Sequence, residues 1–499
     1  MTEQRRPPGI GGRTALAVAA AALLTAAMIG VAFLGGVAST RPGVAAEPPG
    51  SVVNVRMEQG DVTLVCPPAV IDPSGPSAID GDPGLWNTPV EGLAPVALDG
   101  GGAALTVPSD ALGDSPFVAV SGTAAAAGDL ASLLAESCVR PGRELVLPGG
   151  ATEVGEDSVL ILSNPGAKTV TATVQVLTPI GPGLAQPFEI TIPPQSTVLS
   201  LPAIWAPGEA KIGLRVLADG AGVGAWLQSS GLQGEVPQGL GRIEAAAPNP
   251  TQVIVGLDSM QAQTLRVANV GTEATPVEVT VLGTDSITGL GGTEGLSVQA
   301  LGVFDIDVTG LPADALALVV TAEQPIAAAI HQQAVGTPFP EDPALDVQLR
   351  SFVPSAQSFQ AAGLVPLTAL RTIAGAFGFS DLTADIVLAN PADQAIDADV
   401  GGTELRLPES SVITMPLDAL EGDPAVVAAG APIYGALVVR AIGASGRMTS
   451  VLPLHQDIAG LVEQQVRVLP SYSPVGSGDG RDSGGGAPQS EVSESGQSG

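Results

Sequence analysis

The chain has 499 residues and a formal net charge of −31, from 50 acidic and 19 basic side chains. Such a surface repels phosphate backbones and has no basic footprint, so the composition disfavours nucleic acid as a partner. Only 3% of the residues are aromatic, whereas 64 are Gly and 44 are Pro, which indicates short strands and many turns around cores of small aliphatic side chains.

The first predicted element is a hydrophobic helix. Residues 14–40 contain no charged side chain, and about 20 apolar residues suffice to cross a bilayer. Three arginines precede this segment and one follows it closely, so the positive-inside bias places residues 1–13 in the cytoplasm. We therefore predict a single-pass membrane protein in which a linker, 41–50, leads to an extracytoplasmic region. The alternative is a signal peptide cleaved near residue 46, which would release a secreted protein.

Two cysteines, Cys66 and Cys138, lie in a predicted N-terminal extracytoplasmic β-domain, 51–147. In an oxidising compartment they are expected to form a disulfide, and the alternative is a pair of buried free thiols. Neither belongs to a C-x-x-C pair, so zinc and thioredoxin-like chemistry have no support.

A strand that ends in Asn recurs three times and is each time followed by a second alternating run. The three copies read SVLILSNPG at 158–166, TLRVANVG at 264–271 and ADIVLANPA at 384–392. Because Asn and Pro favour tight turns, each pair of runs is interpreted as a hairpin.

Further strand-like segments follow each copy, giving about six or seven short strands per unit. This density predicts a mainly β chain built from tandem Ig-like antiparallel β-sandwich repeats at 148–245, 246–355 and 356–470. A β-propeller is the alternative, because eight strands per unit would also make two blades.

Other segments are less regular. Residues 115–130 resemble the closing strands of a repeat and indicate a degenerate fourth unit within 51–147. The stretch 356–383 contains a short helix or a loop. The tail 471–499 is rich in Gly, Ser and acidic residues and is predicted to be disordered.

The two histidines, His331 and His455, are each followed by Gln in a predicted closing strand, where the first repeat has 226–228. Two residues at one repeat position are not expected to converge on one site, so a structural role is favoured over catalysis. Nucleotide-binding, zinc-protease and serine-hydrolase motifs are missing. We expect no catalytic, cofactor-binding or metal-binding residues.

Three aspartates, Asp72, Asp80 and Asp82, are candidate calcium ligands. Their spacing differs from that of an EF-hand loop. An ordinary solvated turn is the favoured interpretation, because acidic residues among Gly and Pro are common in turns.

The N-terminal anchor, the CPP segment at Cys66, the later Cys138, and the LILSNPG strand with its P-x-x-S corner together resemble the actinobacterial family called domain of unknown function 5719. The resemblance covers most of 50–470. It implies an envelope protein without an assigned activity and carries over no functional residues.

The repeats and the missing catalytic motifs predict a non-catalytic, membrane-anchored scaffold or interaction protein of the bacterial cell envelope, without a cofactor. Its expected partners are the membrane and either envelope proteins or cell-wall glycans. One alternative is a carbohydrate-binding or carbohydrate-active accessory protein, which the few aromatic residues disfavour. A mechanical spacer is the other.

Overall fold

The structure is a computed structural model that describes residues 51–57, 60–73, 83–90, 92–109, 117–182, 187–258, 261–284, 286–293, 295–420, 425–456 and 462–468. It is mainly β, with 60% strands in several sheets and one helix. The predicted membrane helix, 14–40, and the predicted disordered tail, 471–499, lie outside the described residues. Within them, no helix is both long and apolar enough to cross a membrane.

The chain divides into two compact units. The larger unit is Glu58–Leu461. The described part of the smaller unit contains strand β1, Ser51–Met57, and the last of the described strands.

The N-terminal segment of the larger unit forms two three-stranded sheets. Its strands are β2 (Val62–Cys66), β3 (Gly84–Asn87), β4 (Val96–Ala97), β5 (Ala103–Val107), β6 (Ala119–Ala125) and β7 (Ser132–Ser137). The strand orders are β2-β5-β4 and β3-β6-β7. The β6–β7 hairpin overlaps the residues where the sequence indicated a degenerate fourth unit.

The first repeat begins at 144, because its first strand pairs with a later strand of the same repeat. Its strands are β8 (Glu144–Leu147), β9 (Glu156–Asn164), β10 (Val170–Thr178), β11 (Gly181–Pro182), β12 (Phe188–Ile192), β13 (Ser196–Ser200), β14 (Gly213–Ala218), β15 (Gly224–Gln233) and β16 (Val236–Glu244). One sheet has the order β13-β9-β15-β16, and we name it the inner sheet. The outer sheet has the order β12-β10-β14-β8.

The second repeat has the same two sheets. Its strands are β17 (Asn249–Val255), β18 (Ala262–Asn269), β19 (Thr275–Leu282), β20 (Ile287–Gly289), β21 (Ser297–Val298), β22 (Gly302–Asp307), β23 (Ala317–Pro338) and β24 (Asp346–Ala356). The inner sheet is β22-β18-β23-β24 and the outer sheet is β21-β19-β23-β17. The long β23 pairs with β19 over 317–322 and with β18 over 326–333, so it crosses from the outer to the inner sheet between these two stretches.

The third repeat adds the one α-helix that the described residues contain. Its elements are β25 (Phe359–Gly363), α1 (Leu367–Ala376), β26 (Ser380–Asn390), β27 (Ile396–Val400), β28 (Thr403–Leu407), β29 (Ser411–Pro416), β30 (Val426–Gly443) and β31 (Gly446–Pro453). The inner sheet is β29-β26-β30-β31 and the outer sheet is β28-β27-β30-β25. The last strand, β32 (Val462–Val468), was expected in this repeat but pairs with β1 in the smaller unit.

The predicted hairpins at the three Asn motifs are wrong. In each repeat the strand that ends in Asn belongs to the inner sheet, and the alternating strand after it belongs to the outer sheet. The connection is therefore an arch between two sheets. A hairpin within one sheet and an arch between two sheets show the same alternation of apolar and polar residues. The alternation reports which face of a strand is buried and not which strand it pairs with.

A buried asparagine fastens each arch. Asn269 is fully buried, and its amide donates to the carbonyls of Glu273, Val298 and Gln299 at 2.8, 3.1 and 3.1 Å, while its Oδ1 accepts from Gly271 N at 2.8 Å. The other two repeats form the same four bonds around their own asparagines, Asn164 and Asn390. This side chain satisfies backbone groups that the arch leaves without ladder partners.

The two sheets of a repeat differ in burial. Strand β15 of the first inner sheet is buried along its first eight residues, whereas β10 and β19 of the outer sheets alternate between buried and more exposed positions over most of their length. An inner sheet is thus covered on both faces and an outer sheet mainly on one.

The second face of each inner sheet is covered by the preceding segment. Trp226 of the first repeat lies in a cluster with Val65 of the N-terminal segment, and Phe352 of the second repeat packs into the core of the first. Val438 of the third repeat packs into the core of the second.

The N-terminal segment in turn packs into the core of the third repeat, through Leu133 and its neighbours. Ala135 N donates to Ser450 Oγ at 3.0 Å, and Ser450 Oγ donates to Ala135 O at 3.1 Å. The four segments therefore form a closed cycle of contacts.

Candidate functional site

A cavity of about 310 Å³ lies where the N-terminal segment, the first repeat and the third repeat meet. Its floor consists of buried apolar side chains, including Leu64, Val120, Leu437 and Leu452. They come from β2, β6, β30 and β31, so the floor exists only when the cycle is closed.

Two titratable side chains stand above the floor. Glu244 is the last residue of β16 and His455 lies two residues beyond β31. The His455 Nε2 atom lies 3.4 Å from Glu244 Oε1. Their side chains are 14% and 30% exposed, so they form a half-buried polar collar.

Both groups of the collar favour their neutral forms. Burial, and next the nearby Glu136 carboxylate, raise the pKa of Glu244 to about 8. Burial, and next the positive charge of Arg140, lower the pKa of His455 to about 4. At neutral pH the collar is therefore an uncharged carboxyl beside an uncharged imidazole.

The Nε2 atom of His455 is enclosed and has no hydrogen-bond partner among the described residues. Its contact with Glu244 does not have hydrogen-bond geometry, so it is an enclosed polar atom whose hydrogen-bonding capacity is unused beside the cavity.

The mouth of the cavity is hydrophilic. Arg140, Glu144, Gln357 and Gln456 line it and are exposed. Glu144 forms an ion pair with Arg215. The lining therefore combines buried aliphatic side chains, the partly buried pair Glu244 and His455, and exposed polar or charged side chains.

Comparison with known protein families matches residues 96–369 to a family of unknown function, DUF5719. The match covers more than half of the chain. This chain belongs to the DUF5719 family. No curated protein matches it. The DUF5719 match includes Glu244, Arg140 and Cys138 but ends before His455.

The predicted disulfide is present in this DUF5719 chain. Cys66 and Cys138 are bonded, with their Cα atoms 4.2 Å apart, and both are buried. The bond joins the end of β2 to the residue after β7, and Cys138 forms part of the cavity wall. It therefore ties the two sheets of the N-terminal segment together beside the cavity.

The predicted equivalence of the two histidines is wrong. His331 lies within β23 opposite Phe352, and its counterparts in the other repeats, from the pairing registers, are Gln228 and Val438. His455 follows β31 and corresponds to Ala356. Both histidines are followed by Gln, but His331 lies in β23, whereas His455 follows β31, which is the counterpart of the next strand, β24.

The structural role favoured for His331 stays a prediction: the ring is buried, but its Nε2 atom has no hydrogen-bond partner among the described residues. Its ring stacks on Phe352 with centroids 4.9 Å apart. Burial, followed by the charges of Arg350 and Arg266, lowers its pKa to about 3. It therefore stays neutral at the interface between the first and second repeats.

Behind the collar lies a polar network that the sequence analysis did not identify. Arg242 has a fully buried side chain and donates to Glu136 Oε2 at 2.8 Å and Pro68 O at 3.0 Å. Gln228 Nε2 donates to Ile71 O at 2.6 Å. These contacts hold the segment after Cys66 against the first repeat.

Burial raises the pKa of Glu136, although Arg242 opposes the shift. Glu136 in turn adds to the rise at Glu244. No motif marks these residues in the sequence, since they come from distant strands.

The described residues contain no group of three potential metal ligands close enough to hold an ion. Of the three candidate calcium ligands, Asp80 and Asp82 lie outside the described residues.

Proposed function

We propose that this chain is a non-catalytic, membrane-anchored interaction protein of the bacterial cell envelope, with residues 14–40 in the membrane and the larger unit outside the cytoplasm. The observation that supports the binding role is the cavity of about 310 Å³ between the N-terminal segment, the first repeat and the third repeat. We name it the junction cavity. Pockets of about 300–1,000 Å³ lined by apolar side chains with a few polar groups are typical of small-molecule sites.

A binding role is favoured over catalysis because the nucleophiles at the cavity are engaged. Cys138 is oxidised in the disulfide, and the Ser137 hydroxyl donates to Pro453 O at 3.5 Å. The collar offers a neutral acid and a weakly basic imidazole, whose low pKa makes it a poor general base near pH 7.

We further propose that the three repeats are Ig-like sandwiches and not propeller blades. The support is the burial difference described above, since stacked blades would cover both faces of every sheet, whereas the outer strands keep an exposed face. The N-terminal segment is then a reduced fourth sandwich.

The extracytoplasmic location is supported by the charge-free segment 14–40 and by the disulfide, because disulfides persist in oxidising compartments. The test is a topology reporter fused behind residue 470 of the full-length chain. Activity of a reporter that works only outside the cytoplasm is expected. A reporter found active in the cytosol refutes the proposed orientation.

The interaction role is tested by crosslinking in intact cells, followed by capture of the full-length chain. A variant that obstructs the exposed mouth, Ala247→Trp, is compared with a distant surface variant, Arg447→Gln. Reproducible loss of a captured component from the first variant alone is expected. Identical captures from wild type and both variants would remove the cavity from the proposal.

The carbohydrate alternative receives less support. Sugar sites commonly use exposed aromatic platforms, yet Trp226 is fully buried and Trp205 packs on Phe188 with ring centroids 3.4 Å apart. Trp86 packs against the core of the third repeat. Binding of the purified chain to a glycan array would reverse this order.

A mechanical spacer is also less favoured, because the cycle of contacts makes each segment part of its neighbour's core. A variant that lacks the second repeat is expected to be degraded. If that variant folds and its function changes only with length, the spacer is the better account.

A further inference from the structure

We propose that the junction cavity binds a single-chain amphiphile with a carboxylate head, such as a long-chain fatty acid. The chain would lie on the aliphatic floor, and the head would lie between the collar and Arg140. This inference rests on the proposed binding function and names its ligand class.

The floor accepts an aliphatic chain and little else. Leu64, Val120, Leu437 and Leu452 are each at most 5% exposed and present no hydrogen-bonding group. A sugar or a peptide would leave its polar groups without partners there, which is costly away from water. An alkyl chain has no polar groups, so it loses no hydrogen bonds there.

The collar favours a ligand head group that accepts hydrogen bonds. A protonated Glu244 carries an O–H, and a neutral imidazole donates one N–H. The proposed complex places the ring proton of His455 on Nε2, the enclosed nitrogen that lacks a partner among the described residues, and turns the ring so that this N–H meets an acceptor oxygen. A carboxylate has two oxygens with about four acceptor positions.

The charges at the mouth select a monoanion. Arg140 lies on the mouth and its positive charge is felt at His455, so an ammonium head would be repelled. Glu144 is compensated by its ion pair with Arg215, so Arg140 is the cation available to the head, and one positive charge matches a monoanion. The net charge of the whole chain acts at longer range and is screened beyond about 10 Å.

The test uses the full-length chain in lipid bicelles and a palmitic acid that carries a photoreactive diazirine in mid-chain. After illumination, the crosslinked peptides are identified by mass spectrometry. Crosslinks on the peptides with Leu437 or Leu452 are expected, because the middle of the chain would lie on the floor.

Head-group selectivity is measured by competition with unlabelled palmitate, hexadecanol and hexadecylamine. Palmitate is expected to compete at least about tenfold better than either. Arg140→Gln is expected to reduce that advantage, whereas the matched surface change Arg447→Gln leaves it unchanged. Ala247→Trp is expected to abolish crosslinking to the floor while the melting temperature is retained.

The outcomes separate this inference from the proposed function. Equal competition by hexadecanol or hexadecylamine overturns the carboxylate head but leaves a binding protein. Failure of the probe to label the floor of a folded wild-type chain overturns the amphiphile. If cell crosslinking also captures no component, the binding function falls with it.

Discussion

The asparagine arches make a quantitative prediction about stability. Replacing Asn269 with Ala removes four hydrogen bonds from a site that is fully buried. Each bond contributes about 1 kcal/mol net, and each buried carbonyl that stays unpaired adds to the cost. We expect the free energy of unfolding to fall by about 4 kcal/mol or more.

The substitution Asn269→Asp sharpens this test because it keeps the shape of the side chain. An ionised Asp retains the acceptor for Gly271 N but turns three donor contacts into repulsion between oxygens. It is expected to destabilise at least as much as Ala at pH 7, and less at pH 3, where the carboxyl regains a donor.

The assay is urea unfolding of the bicelle-bound chain, followed by tryptophan fluorescence. The matched control is Asn249→Ala, since Asn249 is exposed and accepts one backbone bond, from Thr251 N at 3.1 Å; a cost below about 0.5 kcal/mol is expected there. If Asn269→Asp costs no more than the control, the arches do not depend on this side chain and the argument fails.

Three further predictions concern protons and the disulfide. Between about pH 6.5 and pH 8 Glu244 is ionised in the unfolded chain but stays protonated in the folded chain, so the free energy of unfolding falls by about 2 kcal/mol as pH rises. Glu244→Gln should flatten this part of a plot of unfolding free energy, from urea titrations, against pH. An unchanged slope would disprove the raised pKa. Below pH 6.5 His331 is protonated in the unfolded chain but stays neutral in the folded chain until about pH 3, so acid lowers the free energy of unfolding. His331→Phe should reduce this loss of stability in the same plot of unfolding free energy against pH. An undiminished loss would count against the buried neutral ring. Replacing both Cys66 and Cys138 with Ser should lower the free energy of unfolding by roughly 4 kcal/mol, because the bond closes a loop with a sequence separation of 72. An equal urea midpoint for this variant and the oxidised wild type would contradict it.

Part of this fold could be predicted from the sequence. The recurring Asn motif revealed three repeats, because one buried side chain must satisfy the same backbone groups in each copy. The Cys66–Cys138 bond followed from counting cysteines in a region that the sequence predicts to be exported. The strand partners could not be predicted, since period-two patterning fixes the buried face but not the neighbour.

The cavity could not be predicted. Glu244 and His455 are 211 positions apart in the sequence, and neither belongs to a recognisable motif. Their proximity depends on the cycle closing between the N-terminal segment and the third repeat, which local patterns do not encode. The repeated His-Gln dipeptide even favoured a false equivalence.

The contact between Ala135 and Ser450 spans 315 positions of the chain, which has a consequence for biogenesis. Synthesis starts at the N-terminus, and domains that emerge early usually fold early. Here the earliest strands keep an apolar surface that only the last repeat covers, so they remain uncovered until translation is nearly complete. Chains of this topology fold slowly, and a truncated product would expose that surface to proteases and chaperones.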